Sequence, residues 1–199
     1  MLKALAFATV VALAAPALAA PQVGQPAPAF RLTDSNGKAR SLADFKGKTV
    51  VLEWTNAECP FVKKHYAGNM QALQKAAAKD GVVWLTVNSG APGKQGHVDG
   101  AGANAIVKAK GAAPTAYLLD AKGDVGRAYA AKTTPHMYIV DPAGKLVYMG
   151  GIDDTPTADV ANIKTAKNYV TAALADLKAK RAVQTASSKP YGCSVKYAG

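Results

Sequence analysis

Three short apolar runs, at residues 49–54, 82–87 and 116–119, are separated by stretches whose apolar residues recur at helical spacing. Strands that alternate with helices build a sheet with parallel neighbours, because each return to the same edge needs a crossover. The alternation therefore selects an α/β fold. Val62, Tyr66, Leu73 and Ala77 mark one helix over residues 60–79, and Asp80-Gly81 ends it. Residues 98–110 read as a weaker, alanine-rich helix and 124–131 as a short helical segment. Met137–Val140 and Leu146–Met149 read as two strands joined by Asp141-Pro142-Ala143-Gly144, a hairpin signal. Ile163, Ala166, Val170, Leu174 and Leu177 mark the last helix. The prediction is a mixed central sheet with helices on both faces.

The first nineteen residues stand apart from this pattern. Lys3 precedes an apolar run of small residues, and Ala17-Leu18-Ala19 is a small-x-small cleavage signal. The run is too short, and too close to Pro16, for a membrane span. Cleavage after about Ala19 is expected to leave an exported, periplasmic chain with no stable membrane anchor. The expected division is a signal peptide at 1–19, one domain at 20–181 and a C-terminal tail at 182–199. The formal charge is +11, but the lysines are thinly spread and no basic cluster interleaves with aromatics. That fits a solvated surface and argues against nucleic acid as a partner. The turn-rich stretch Asn88 to Gly96 is not a phosphate loop, because Asn88 and Gln95 stand where Gly and Ser or Thr are needed.

The chain has two cysteines. Cys59 follows the run ending at Trp54 and a short turn, and Pro60 opens the next helical stretch. A thiol there meets unpaired backbone N–H groups at a helix start, which favour the thiolate. Pro60 suits the first helical position, where no donor is wasted. Cys193 lies near the far end, in Pro190-Tyr191-Gly192-Cys193. In an oxidising compartment the two can form a structural staple, worth roughly 5 kcal/mol in the chain-entropy picture. Alternatively they are a working redox pair, with a tail that brings Cys193 to Cys59 and leaves again.

Glu58-Cys59-Pro60-Phe61-Val62-Lys63-Lys64-His65, Thr133-Thr134-Pro135-His136, Val147 to Asp154 and Tyr191 to Tyr197 together resemble an exported, peroxiredoxin-like group of the thioredoxin-like superfamily. Gly24 to Phe30 and Leu42 to Lys48 resemble its redoxin and alkyl-hydroperoxide-reductase/thiol-specific-antioxidant branch. The resemblance spans nearly all of the chain after Ala19. It implies a thioredoxin-like fold with Cys59 as the nucleophile towards a disulfide or a peroxide. It also implies a cis Thr134-Pro135 loop facing the sulfur, where Thr134 offers backbone groups to an extended chain. From its place one helical turn along, Lys63 either adds positive potential near the sulfur or is an ordinary solvated lysine, and His136 either lies near the sulfur or is a hydrogen-bonded structural histidine. Lys64 and His65 are expected to face solvent or to fall between faces.

Two departures from the family patterns matter. Val62 stands where thioredoxins carry a second cysteine, so Cys193 or an outside thiol must resolve a mixed disulfide. Asn56 and Leu52 stand where peroxiredoxins carry Thr or Ser and Pro, and no arginine lies near Pro135. Asn56 would have to offer its amide to a peroxide oxygen, and the nearest arginine in sequence is Arg127. The leading expectation is an envelope thiol–disulfide oxidoreductase with a protein disulfide or dithiol partner. A thiol peroxidase acting on a small peroxide is the alternative. A Cu(I)-binding module using Cys59, Cys193 and His136 is a further one. No resident cofactor or metal is expected.

Overall fold

The computed structural model describes residues 20–199, so the proposed export signal lies outside the described residues. Nine strands and five helices follow in order: β1 (Arg31–Asp34), β2 (Ala39–Ser41), β3 (Val50–Trp54), α1 (Pro60–His65), α2 (Asn69–Lys79), β4 (Val83–Asn88), α3 (Gly100–Lys110), β5 (Ala116–Leu119), α4 (Asp124–Ala128), β6 (Thr133–Thr134), β7 (His136–Val140), β8 (Leu146–Gly150), α5 (Tyr169–Lys178) and β9 (Cys193–Ser194). Seven strands form one mixed sheet in the order β2-β1-β5-β4-β3-β7-β8, and β6 pairs with β9 in a separate two-stranded ribbon. β3, β4 and β5 are parallel, as the crossovers through α1–α2 and α3 require, while β7 and β8 form the antiparallel hairpin.

Strand alternation divides the core. Val50, Leu52 and Trp54 of β3 pack on one face with Leu85, Leu118 and Tyr138. Val51 packs on the other with Met70, Trp84, Ile139 and Val170, beneath α2 and α5. β3 lies inside the sheet between β4 and β7 and is buried along its whole length, so its end gives Cys59 a fixed base.

The helix predicted over 60–79 is two helices. α1 stops at His65, Gly68 takes φ +124, and α2 restarts at Asn69. The Gln71 amide donates to the Tyr66 carbonyl at 2.8 Å, and its oxygen accepts from Gly68 N at 3.1 Å, which ties the break. Apolar spacing alone misses it because both halves bury the same face. The last helix begins later than its apolar pattern suggests. Residues 160–164 form a 3-10 turn, and Asn168 caps α5 by accepting from Thr171 N at 2.9 Å. No helix among the described residues is long and apolar enough to cross a membrane.

Candidate active site

Cys59 is the cap residue of α1, Pro60 takes the first helical position, and the sulfur is fully buried. Asn56 fixes the turn before it. Its oxygen accepts from Glu58 N at 2.9 Å, and its amide donates to the Gln95 carbonyl at 3.3 Å. The Asn56 amide is therefore engaged within the loop rather than turned to a peroxide. Lys63 stands exposed on α1.

Across from Cys59 runs the cis Thr134-Pro135 bond. Cys59 Sγ lies 3.1 Å from the Thr134 carbonyl oxygen. Thr134 pairs with Cys193 in the β6–β9 ribbon, which carries the second sulfur to the first. The two cysteines are not bridged; Cys193 is partly exposed. Burial alone would raise the Cys59 pKa. Burial is the largest single influence, and only together do donation from the Cys193 thiol, the backbone N–H groups of Val62 and Cys193 and the Thr134 hydroxyl overcome it, so the net direction is downward. Cys193 moves the other way, up to about 11, through burial, that same hydrogen bond and the charge on Cys59. The pair thus shares its protons unequally, with Cys59 the first to ionise. α1 has only six residues, so the second thiol, more than a long helix dipole, makes Cys59 acidic.

The tail is docked along much of its length. The Ala186 carbonyl accepts from Met149 N at 3.2 Å, and Ser188 Oγ lies 2.7 Å from Tyr148 Oη. The Tyr191 hydroxyl donates to Asp153. Beyond Cys193, Val195 N donates to the Lys132 carbonyl at 3.1 Å and Tyr197 Oη to the Ala131 carbonyl at 2.8 Å. Arg127 donates to Ala198 O at 2.8 Å and lies over the Tyr197 ring, so it serves the tail and not a peroxide.

His136 is not part of the sulfur site. It sits in β7 opposite Trp54, and its Nδ1 accepts from Lys132 N at 3.3 Å and lies 3.1 Å from Tyr138 Oη. Burial and the nearby Lys132 hold its pKa down to about 3. The strand alternation that buries it with Tyr138 removes it from any Cys59–Cys193–His136 metal set. Among the described residues no group of three or more His, Cys, Asp or Glu is arranged to hold a metal.

Lys64 and His65 are buried rather than solvent-facing. Lys64 Nζ lies 3.4 Å from Asp153 and donates to the Thr155 carbonyl at 2.9 Å. Burial pulls the His65 pKa down to about 4, with Asp153 opposing and Lys64 adding to the effect. Glu53, six residues before Cys59, is fully buried beneath α2. It accepts from Trp84 Nε1 and Tyr66 Oη, each at 2.8 Å, and from Thr86 Oγ1 at 3.2 Å. Burial raises its pKa to about 7 against those donors. A lone carboxylate inside an apolar strand run is the sequence signal for Glu53.

The fold has known counterparts. Residues of this chain are 32% identical over 126 positions to the thiol-disulfide oxidoreductase ResA of Bacillus subtilis, an alignment spanning 62% of this chain and 64% of ResA. A hypothetical protein from Sinorhizobium meliloti superposes with a TM-score of 0.76 at 25% identity, covering 91% of this chain and 97% of that one. The thioredoxin domain of a thiol-disulfide oxidoreductase from Bacteroides vulgatus gives 0.52 at 25% identity, covering 72% of this chain and 96% of the domain. The fold is thus thioredoxin-like. Residues 23–149 match the AhpC/TSA family; Cys193 and its tail lie beyond them, and on that match the chain belongs to the AhpC/TSA family, within the thioredoxin-like redoxins.

Proposed function

We propose that this protein is an exported thiol–disulfide oxidoreductase in which Cys59 is the nucleophile and Cys193 the resolving thiol. The observation that carries it is the β6–β9 pairing of Thr134 with Cys193, which holds a second thiol against an acidified Cys59. The Cys59 thiolate attacks one sulfur of a partner's disulfide. That S–S bond breaks, a mixed disulfide forms, and the partner's other sulfur leaves as a thiolate that takes a proton. Cys193, deprotonated in turn, attacks Cys59 Sγ. The internal Cys59–Cys193 disulfide closes and the partner leaves fully reduced. An external dithiol returns two electrons and restores both thiols.

The likeness to ResA and to the Bacteroides domain supports disulfide exchange as the chemistry. The engaged Asn56 amide and the tail-bound Arg127 weigh against the peroxidase alternative. The small-x-small signal at Ala17-Leu18-Ala19 supports export to the periplasm, with secreted or envelope proteins as partners.

The test is trapping. Cys193→Ala protein should accumulate mixed disulfides with oxidised protein clients through Cys59, and Cys59→Ala should form none. Rapid oxidation of reduced protein by hydrogen peroxide, with no exchange onto protein disulfides, would replace this reading with the peroxidase.

A further inference from the structure

Three side chains of α1 converge on one residue of the tail. Phe61 packs edge-on to the Tyr191 ring, with centroids 5.8 Å apart. Lys64 Nζ lies 5.7 Å from the centre of the same ring, and His65 Nε2 lies 3.0 Å from the Tyr191 hydroxyl. Spacings of three and four residues put Phe61, Lys64 and His65 on one helix face. Asp153 completes the seat by accepting from the Tyr191 hydroxyl and pairing with Lys64. Asn69 holds the far ring nitrogen of His65 at 2.9 Å, so the imidazole cannot turn away freely. Burial and the Asp153 carboxylate push the Tyr191 phenol well above its ordinary range, so it remains a donor.

This seat belongs to the same helix that Cys59 caps. Tyr191 stands two residues before Cys193, and two residues of chain reach only about 7 Å. Where the phenol sits therefore decides where the second sulfur falls. The same stretch covers the Thr134 edge and contributes to the full burial of Cys59.

We propose that Tyr191 is the positioning residue of the sulfur pair: seated on Asp153, His65 and Phe61, it holds Cys193 on Cys59 and keeps the tail over the Thr134 edge until a partner displaces it. This rests on the reading of Cys59 and Cys193 as a working pair. An outside disulfide reaches Cys59 only when Tyr191 leaves its seat, and reseating brings Cys193 back to resolve the mixed disulfide. Tyr191 touches neither sulfur chemistry nor client; it acts through the tail.

The test is the equilibrium of the Cys59–Cys193 bond with glutathione, in which two thiols and one oxidised glutathione give one internal disulfide and two reduced glutathiones. Tyr191→Phe keeps the ring on Phe61 and loses only the hydroxyl. Its equilibrium constant should fall about 10-fold, the size of one hydrogen bond to a charged group. Tyr191→Ala should lower it about 100-fold through lost effective concentration. In a Cys193→Ser background, Tyr191→Phe should also speed attack of Cys59 on an aromatic disulfide reagent by about 5-fold or more. Constants within twofold of wild type in both variants overturn the proposal, because the other tail contacts would then seat Cys193 unaided. Shifted constants with no mixed disulfide on any oxidised protein leave Tyr191 in its role and overturn the exchange function instead.

Discussion

Gly192 meets Thr134 through backbone alone: a β-carbon at 192 would stand 2.0 Å from the Thr134 carbonyl oxygen. The same oxygen lies 3.1 Å from Cys59 Sγ. The tail strand and the nucleophile thus share one carbonyl, and the fit depends on the missing side chain. Gly192 also takes φ +127, a conformation that side chains rarely adopt.

Gly192→Ala should lift the tail from Thr134 while leaving the sheet intact. Strain and contact together cost about 1–3 kcal/mol locally. In a Cys193→Ser background, Cys59 should then react about 10-fold faster with a bulky disulfide reagent, followed by absorbance. An unchanged rate would show that the ribbon does not guard the sulfur.

Cys193→Ala removes the main donor to the Cys59 thiolate. The folded Cys59 pKa should rise, because loss of a hydrogen bond to the charged form disfavours it. Thiolate ultraviolet absorbance against pH should show two steps in the wild type, the later one at about 11 from Cys193. In the variant a single step should appear, above the first wild-type step. A single step at or below that position would place the acidity in the helix start and not in the second thiol.

The fold and the place of Cys59 at a helix start are readable in the sequence because each rests on local patterns. Apolar runs of strand length at 49–54, 82–87 and 116–119 give the parallel core, and Cys59-Pro60 marks a helix start. The Tyr191 seat is not readable this way. Lys64 looks solvent-facing because an isolated buried ammonium is unfavourable, and its burial is made tolerable by Asp153, 89 positions away, and by the Thr155 carbonyl. His136 looks like a site residue because it follows Pro135, yet strand alternation sends it to Tyr138. Docking of the tail is equally long-range: Thr134 and Cys193, 59 positions apart, meet as β partners although the tail around Cys193 has no strand-length apolar run.

Acid should loosen the protein through its buried histidines. His65 and His136 are held neutral, with pKa values of about 4 and about 3, while the unfolded chain takes up protons near 6.5. From pH 6.5 down to about 4 the unfolded state binds up to two more protons than the folded one. Each contributes a loss of about 1.4 kcal/mol per pH unit. His136→Gln, which keeps an acceptor for Lys132 N, should remove about half of that histidine slope in urea unfolding at pH 5 and 6. An unchanged slope would mean that His136 is already protonated in the fold.

Glu53 works against the histidines over the same range. Its folded pKa is raised to about 7 from an unfolded value near 4.5, so between those limits the folded state holds the extra proton. Stability from this group is fully present below pH 4.5 and is lost as pH rises towards 7. Around pH 5.5 two histidine protons favour the unfolded state and one Glu53 proton favours the folded state. The net slope is about one proton, or about 1.4 kcal/mol per pH unit, with stability rising towards neutrality. Glu53→Gln removes the opposing member. It keeps an acceptor for Trp84 Nε1, and the Tyr66 hydroxyl can turn to accept from the new amide. Its slope at pH 5.5 should therefore steepen to about 2.7 kcal/mol per pH unit, and its stability relative to wild type should improve steadily from pH 5 to 7. Parallel stability profiles for the two proteins would mean that the Glu53 carboxyl ionises alike in the folded and unfolded chains, with its donors, Trp84, Tyr66, Thr86 and Gln74, cancelling the effect of burial.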